Sequence, residues 1–181
     1  VHISVGGNHF VSNSLCAIAV GRIFNINMPD ILDGIAHFEL TKRRMQVEKL
    51  ENNVIVINDC YNANCDSMKA AIHYLSELKN CKKVAVLGDM LELGEYSEKL
   101  HREVGEELVK DKIDIVITVG NESKYIADEV IKGNNASVYE YNNNQEAIEK
   151  IKEIMKDGNV AILIKASNGM KFQEIANEIC K

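Results

Sequence analysis

Four short runs of almost unbroken apolar, mostly β-branched residues constrain this chain most. They are Val54-Ile55-Val56-Ile57, Val84-Ala85-Val86-Leu87, Ile115-Val116-Ile117-Thr118-Val119 and Val160-Ala161-Ile162-Leu163-Ile164. A strand with one wet face alternates apolar and polar residues. Runs without that alternation suit strands covered on both faces, as in a parallel sheet. Ser137-Val138-Tyr139 is a weaker run of the same kind. Between the runs, apolar residues recur at helical spacing: Met68, Ala71, Ile72, Leu75 and Leu78; Leu100, Val104 and Leu108; Ile126, Val130 and Ile131; Ile148, Ile151 and Met155. Phe172, Ile175, Ala176 and Ile179 form a closing helix. Ser97 is expected to cap the second of these helices, and Asn143 and Glu146 have capping-box spacing before the fourth.

Alternating strands and helices predict an α/β fold, Rossmann-like, with a mainly parallel sheet flanked by helices and right-handed crossovers. The start of the chain reads differently. Val11, Leu15, Ile18, Ala19 and Arg22 predict a helix from about Asn8 to Phe24, and Asn27-Met28-Pro29 looks like the start of a second, because proline is tolerated at a first helical turn. The polar stretch from Glu39 to Arg44 marks a boundary, so residues 1–41 are expected to be a short helical piece and 42–181 a separate domain. Hydrophobic residues make up 46% and charged residues 27%, which predicts a packed core rather than disorder.

The formal net charge of -6 argues against nucleic acid, whose backbone is bound through clustered Lys and Arg. Lys42-Arg43-Arg44 alone reads as a solvated loop. No apolar stretch approaches the about 18 residues that a membrane span needs, so no membrane partner is expected. Cys16, Cys60, Cys65, Cys81 and Cys180 match no zinc-ligand spacing, so no metal is assigned to them; an odd count suits free thiols in a reducing cytoplasm.

In open α/β sheets ligands bind beyond the carboxyl ends of the strands. After the first run come Asn58 to Asn64; after the second, Gly88 to Gly94; after the third, Gly120 and Asn121; after the last, Lys165 to Gly169. Carboxylates, amides, a hydroxyl and a lysine should therefore collect at one rim and suit a polar, charged small molecule. Turns and helix caps also favour Asn, Asp, Ser and Gly for backbone reasons, which accounts for Asn121 and Asn144. Asp59 stands at a strand exit with better cap candidates following it, Asn64 and Asp66. Lys165 follows five apolar residues, so its ammonium must emerge at the rim or be paired. No G-x-x-x-x-G-K-[ST] phosphate loop occurs, so the chain alone is not expected to transfer phosphate from ATP. His2, His37 and His73 read as surface or packing residues.

Several segments together resemble the Mur peptide ligases. Asp59-Cys60-Tyr61-Asn62-Ala63-Asn64 with Asp66-Ser67-Met68 is similar to the block D-[DCS]-Y-N-A-N-P-x-S-M, and Val84 to Gly94, continued by Ser97 and His101, resembles a second block. These two point to the D-alanyl-D-alanine-adding branch. Gly7-Asn8-His9-Phe10-Val11-Ser12-Asn13 resembles G-x-H-N-x-x-N, and Lys165-Ala166-Ser167-Asn168-Gly169-Met170-Lys171 resembles K-G-S-R-G-M-K, motifs shared more widely. The chain departs from the pattern at Phe10 (Asn), Arg43 (Gly), Cys65 (Pro), Ala166 (Gly) and Asn168 (Arg).

The resemblance implies an ATP-dependent ligase joining D-alanyl-D-alanine to a UDP-N-acetylmuramoyl-tripeptide through an acyl phosphate, in the cytoplasm, as a monomer. It implies that residues 1–41 end the central ATP-binding domain and that the phosphate loop, with most contacts to ATP and Mg2+, lies upstream of Val1. The piece alone would then be inactive. Asn13 and His9 would lie near the adenine, Asp59 would accept from the ribose, and Arg44 would meet ribose or phosphate. Asn62, Asn64, Glu92 and Ser167 would contact substrate, and Lys165 and Asp89 would act at the reacting groups. The three turns should share one polar edge and leave a cleft for a neighbouring domain. Two other readings remain open: a non-catalytic nucleotide- or ligand-binding module, and a ligase of the same superfamily with another amino-acid acceptor.

Overall fold

The computed structural model of the chain describes residues 2–3, 8–38 and 43–181, and of Asn8 and His9 the backbone alone. It divides into two compact units, Val1–Thr41 and Lys42–Lys181. The first contains α1 (Asn8–Ile23) and α2 (Met28–Ala36). Asn27 caps α2 by accepting the Asp30 amide at 3.0 Å, and Pro29 sits in the first turn, where no intrahelical donor is lost. Ile31 and Ile35 are the buried face of α2.

The second unit runs β1 (Gln46–Lys49), β2 (Ile55–Asn58), α3 (Cys65–Glu77), β3 (Lys82–Gly88), α4 (Ser97–Lys110), β4 (Ile115–Val119), α5 (Lys124–Gly133), β5 (Ser137–Tyr141), α6 (Asn144–Met155), β6 (Val160–Lys165) and α7 (Gln173–Ile179). The strands form one sheet in the order β1-β2-β6-β3-β4-β5. All pairs are parallel except β1 with β2. The apolar runs fill its centre because both faces are covered. Val84, Val86 and Ile162 pack with α6 and α7, whereas Ala85, Leu87 and Leu163 pack with α3, α4 and α5. Each of the Val, Leu and Ile side chains, fully buried, contributes about 1.5–3 kcal/mol.

One strand was not expected from the sequence, and one expectation changes. β1 carries only one apolar residue, Val47, which is exposed; a short charged strand suits an edge and leaves no periodic signal. Ser97 does not cap α4. A 3-10 turn, Gly94–Tyr96, runs directly into the helix with Tyr96 as its cap residue, so the backbone is already helical where a cap would be extended. Ser97 Oγ instead donates to Glu122 Oε2 at 2.7 Å. Before α6, Asn143 accepts the Glu146 amide at 3.0 Å, one arm of a capping box. Among the described residues no helix is long and apolar enough to cross a membrane.

Candidate functional site

Register brings the carboxyl ends of three strands together. Asn58 of β2 lies beside Ile164 of β6, and Leu87 of β3 beside Lys165. The turns that follow β2, β3 and β6 therefore meet at one edge, and polar side chains tie them to one another.

Lys165 and Asp59 form the first tie. Lys165 Nζ lies 2.6 Å from Asp59 Oδ2, 3.0 Å from the Asn62 carbonyl and 3.5 Å from the Asp59 carbonyl. An ammonium has three protons, and each has an acceptor here. The Lys165 side chain is 2% exposed and that of Asp59 13%. Asp59 Oδ1 accepts the Met45 amide at 3.0 Å, which fastens residue 45 to the turn after β2. Arg44 is exposed, with its guanidinium 4.2 Å from the Tyr61 ring centroid, and the Tyr61 amide donates to the Arg43 carbonyl at 3.1 Å.

The second tie is Asp89. Its carboxylate accepts the amides of Asn121 at 3.1 Å, Glu122 at 3.1 Å and Ser123 at 2.7 Å, at the start of α5. A negative charge there satisfies helix donors that lack intrahelical partners and complements the helix dipole. Gly120 makes this possible: a Cβ on it would lie 2.3 Å from Asp89 Oδ1, and its φ is +129°.

Ser167 and His101 complete the joint. The Ser167 amide donates to the Asp89 carbonyl at 3.1 Å, and Ser167 Oγ accepts the Leu91 amide at 2.9 Å and donates to the Ala63 carbonyl at 3.5 Å. His101, fully buried on α4, accepts the Met90 amide at Nε2 at 2.9 Å; its Nδ1 lies 2.8 Å from the Ser97 carbonyl. That pairing puts the ring proton on Nδ1. Close by, Asn58 Oδ1 accepts from Cys60 Sγ at 2.9 Å, and burial pushes the Cys60 thiol up to about 11.

The expected convergence is present, and among the described residues its charged groups are turned inward. Asp59, Asp89, Lys165 and Ser167 are buried, with Lys165 bonded to Asp59 and the Ser167 amide to the Asp89 carbonyl. Lys165 and Asp89, expected at the reacting groups, have their charged atoms engaged inside the protein, because the strand exits would otherwise leave buried polar groups unpaired. Ser167, expected to touch substrate, spends its hydroxyl on two backbone groups. Asn64, expected likewise, caps α3 by accepting the Ser67 amide at 2.8 Å. The exposed residues of these turns include Arg44, Tyr61, Asn62, Leu91 and Glu92. Asn13 is exposed on α1 in the first unit, where it lines a largely apolar cavity of ≈ 470 Å³. The expectation for the His9 side chain lies outside the described residues. Sequence reasoning placed His101 in the continuation of the second motif block but gave it no role; the available signal was its place in the buried stripe of α4 with Val104, Gly105 and Leu108. Among the described residues no three His, Cys, Asp or Glu gather as a metal site.

The departures have local explanations in part. Arg43 adopts φ +69°, the left-handed region that glycine enters freely. Cys65 is the first residue of α3, where proline is favoured but not required. Ala166 is buried without positive φ. Nothing in the structure explains Asn168.

Comparison with known proteins agrees with this architecture. The UDP-N-acetylmuramoyl-tripeptide–D-alanyl-D-alanine ligase of Bacillus subtilis is 38% identical over 98% of this chain, and the Escherichia coli enzyme of that name 30% over 99%. The chain spans 39% and 38% of their lengths. A crystal structure of MurF from Acinetobacter baumannii matches with a TM-score of 0.88 and 25% identity, over all of this chain and 39% of that one. MurF ligase from Thermotoga maritima, solved with ADP, matches with a TM-score of 0.70 and 25% identity, over 89% of this chain and 35% of that one. The family described as Mur ligase, glutamate ligase domain, matches residues 43–168. The chain belongs to the Mur ligase family.

Proposed function

We propose that this chain is the carboxy-terminal part of a cytoplasmic, ATP-dependent ligase that adds D-alanyl-D-alanine to a UDP-N-acetylmuramoyl-tripeptide in peptidoglycan synthesis. The observation that carries the reading is the 38% identity over 98% of the chain to a ligase of that name, with the motif residues gathered at one edge of the sheet. Residues 1–41 are read as the end of the central ATP-binding domain and 42–181 as the carboxy-terminal domain.

ATP, when bound, supplies the phosphoryl group that turns the tripeptide's terminal carboxylate into an acyl phosphate, which the amine of the dipeptide then attacks. The second unit fits a nucleotide on two counts. Arg44 presents an exposed guanidinium whose donor fork matches ribose or phosphate oxygens. Asp59 uses two of the roughly four lone-pair positions of a carboxylate on Met45 and Lys165, which leaves acceptor capacity toward a ribose hydroxyl. His9 and Asn13 are assigned to the adenine side. Mg2+ is assigned to residues upstream of this chain.

The buried groups have a different task. Lys165, Asp89 and Ser167 hold the three turns in register, so that Asn62 and Glu92 meet the substrates at fixed positions. Reactions of this kind are accelerated chiefly by positioning and by charge stabilisation. Asn64 acts through the start of α3 rather than by contact.

The test uses the intact polypeptide that contains this chain, with ATP, Mg2+ and the tripeptide nucleotide. Phosphate release is measured with D-alanyl-D-alanine, meso-diaminopimelate, lysine and glutamate in turn. Release with D-alanyl-D-alanine alone is expected. Release with another acceptor and none with D-alanyl-D-alanine would refute the assignment.

A further inference from the structure

Two arginines stand over one tyrosine. The guanidinium carbons of Arg43 and Arg44 lie 5.9 Å and 4.2 Å from the ring centroid of Tyr61, which is 43% exposed. The backbone holds them there. The Tyr61 amide donates to the Arg43 carbonyl at 3.1 Å, and the Met45 amide to Asp59 Oδ1 at 3.0 Å, so residues 43–45 are fastened to the turn after β2. Neither guanidinium has a carboxylate partner among the described residues. Asp59, the acid of that turn, is already paired with Lys165. Arg102 is the contrast within the same unit. It also stands over a tyrosine, 5.0 Å from the Tyr125 centroid, but Glu98, Asp128 and Glu129 lie 2.8, 3.6 and 2.7 Å from its nitrogens. There the charge is neutralised by neighbours. At Tyr61 two positive charges stay uncompensated, on a chain whose net charge is -6. An exposed aromatic face attracts a cation only weakly. The pair therefore lacks a counter-ion, which a ligand with several negative oxygens would supply.

We propose that Arg43 and Arg44 together clamp the phosphates of a nucleotide substrate, with Tyr61 as the positioning residue whose ring holds both guanidiniums at the rim. The inference rests on the ligase reading above and extends it. The family resemblance gives Arg44 a nucleotide contact; it gives Arg43 none, because glycine stands there in the family pattern, and it gives Tyr61 no role. The chemistry is suited to it. A guanidinium over a ring keeps its N–H donors at its own edge, where the fork can take two oxygens of one phosphate. Two forks side by side suit adjacent phosphates. ATP and the UDP group of the tripeptide nucleotide both carry such phosphates, and their KM values separate the two sources.

Arg43→Gln, Tyr61→Phe and Tyr61→Leu are made in the intact ligase. KM is measured separately for ATP, the tripeptide nucleotide and D-alanyl-D-alanine, at about 50 mM and about 300 mM salt. Arg43→Gln should keep the parent's thermal midpoint, since it breaks no ion pair inside the protein. It should raise the KM of one phosphate-bearing substrate about fivefold at low salt, leave the D-alanyl-D-alanine KM within about twofold, and flatten the salt dependence of the affected KM, the pattern of one lost exposed charge contact. Tyr61→Leu should raise the same KM, and Tyr61→Phe, which keeps the ring, should not. Unchanged KM values in Arg43→Gln, equal rises in all three, or a rise with undiminished salt dependence overturns the clamp. A loss in Tyr61→Phe as large as in Tyr61→Leu overturns the part given to the ring; if Tyr61→Leu fails to fold, Arg43→Gln still decides the clamp. A parent enzyme inactive with D-alanyl-D-alanine would instead overturn the ligase reading itself. Calorimetric titration of the intact polypeptide with ADP and with UDP then tests the clamp alone: weaker binding of either in Arg43→Gln supports it, and equal binding of both overturns it.

Discussion

Lys165→Met should be the most damaging single change at the rim, and its cost can be worked from the geometry. The substitution keeps the apolar stem of the side chain and removes an ammonium with three acceptors: Asp59 Oδ2 and the carbonyls of Asn62 and Asp59. Asp59 keeps only the Met45 amide, with its side chain 13% exposed. Removing one partner of a buried pair typically costs about 3–5 kcal/mol, because the other charge stays behind uncompensated. The partial exposure of Asp59 places the expectation near the lower end, about 3 kcal/mol. With a urea dependence of about 2 kcal/mol/M, the midpoint should fall by about 1.5 M. Tyrosine fluorescence is a clean probe, since the chain has no Trp and its six tyrosines, Tyr61, Tyr74, Tyr96, Tyr125, Tyr139 and Tyr141, all lie in the second unit. Asp59→Asn and the double variant complete a cycle. The double variant should cost less than the two singles added, by about 2 kcal/mol, because neither charge is then stranded. Additive costs, or a Lys165→Met loss below about 1 kcal/mol, would refute the buried pair as the joint between β2 and β6.

Gly120→Ala should lose about 2–4 kcal/mol in the same unfolding assay, since the new methyl meets Asp89 Oδ1 at a φ of +129° and dislodges the carboxylate from three amides; parent-like stability would remove Asp89 as the anchor of α5. Stability should also fall as pH rises from about 9 to about 11, because burial keeps the Cys60 thiol protonated in the folded state while the unfolded chain releases its proton. Cys60→Ala should flatten that fall by about 1–2 kcal/mol between pH 8 and pH 11, and an unchanged slope would contradict the stated cause.

The sheet was legible because its signal is local. A strand covered on both faces must be apolar at consecutive positions, and β2, β3, β4 and β6 are. β1 was not legible, because its place depends on pairing with β2 rather than on burying side chains. Ser97 misled for a related reason: serine before an apolar stripe reads as a cap, but the preceding 3-10 turn had already made the backbone helical. At the rim, sequence position told which residues would come together but not which way they would face. Lys165 after five apolar residues left two outcomes, emergence or pairing. Only the register Leu87↔Lys165 and Asn58↔Ile164, which sets Asp59 within reach, decides for pairing.

That outcome changes what the motif residues mean. Asp59, Asp89, Ser167, Lys165 and His101 are the groups a chemist would first suspect, and each is hydrogen-bonded to a neighbouring turn. Their effect is to make 59–62, 89–91 and 165–167 one rigid piece, since no turn can shift without breaking bonds to the others. Rigidity of this kind is what a ligase joining charged substrates requires: misplacing a reacting group by about 1 Å can cost on the order of a hundredfold in rate. The few side chains that do reach outward, Arg44, Asn62 and Glu92, are then spaced by buried chemistry rather than by their own contacts. A substitution at the rim should therefore be read first by which turn it releases, and only then by which substrate it fails to touch.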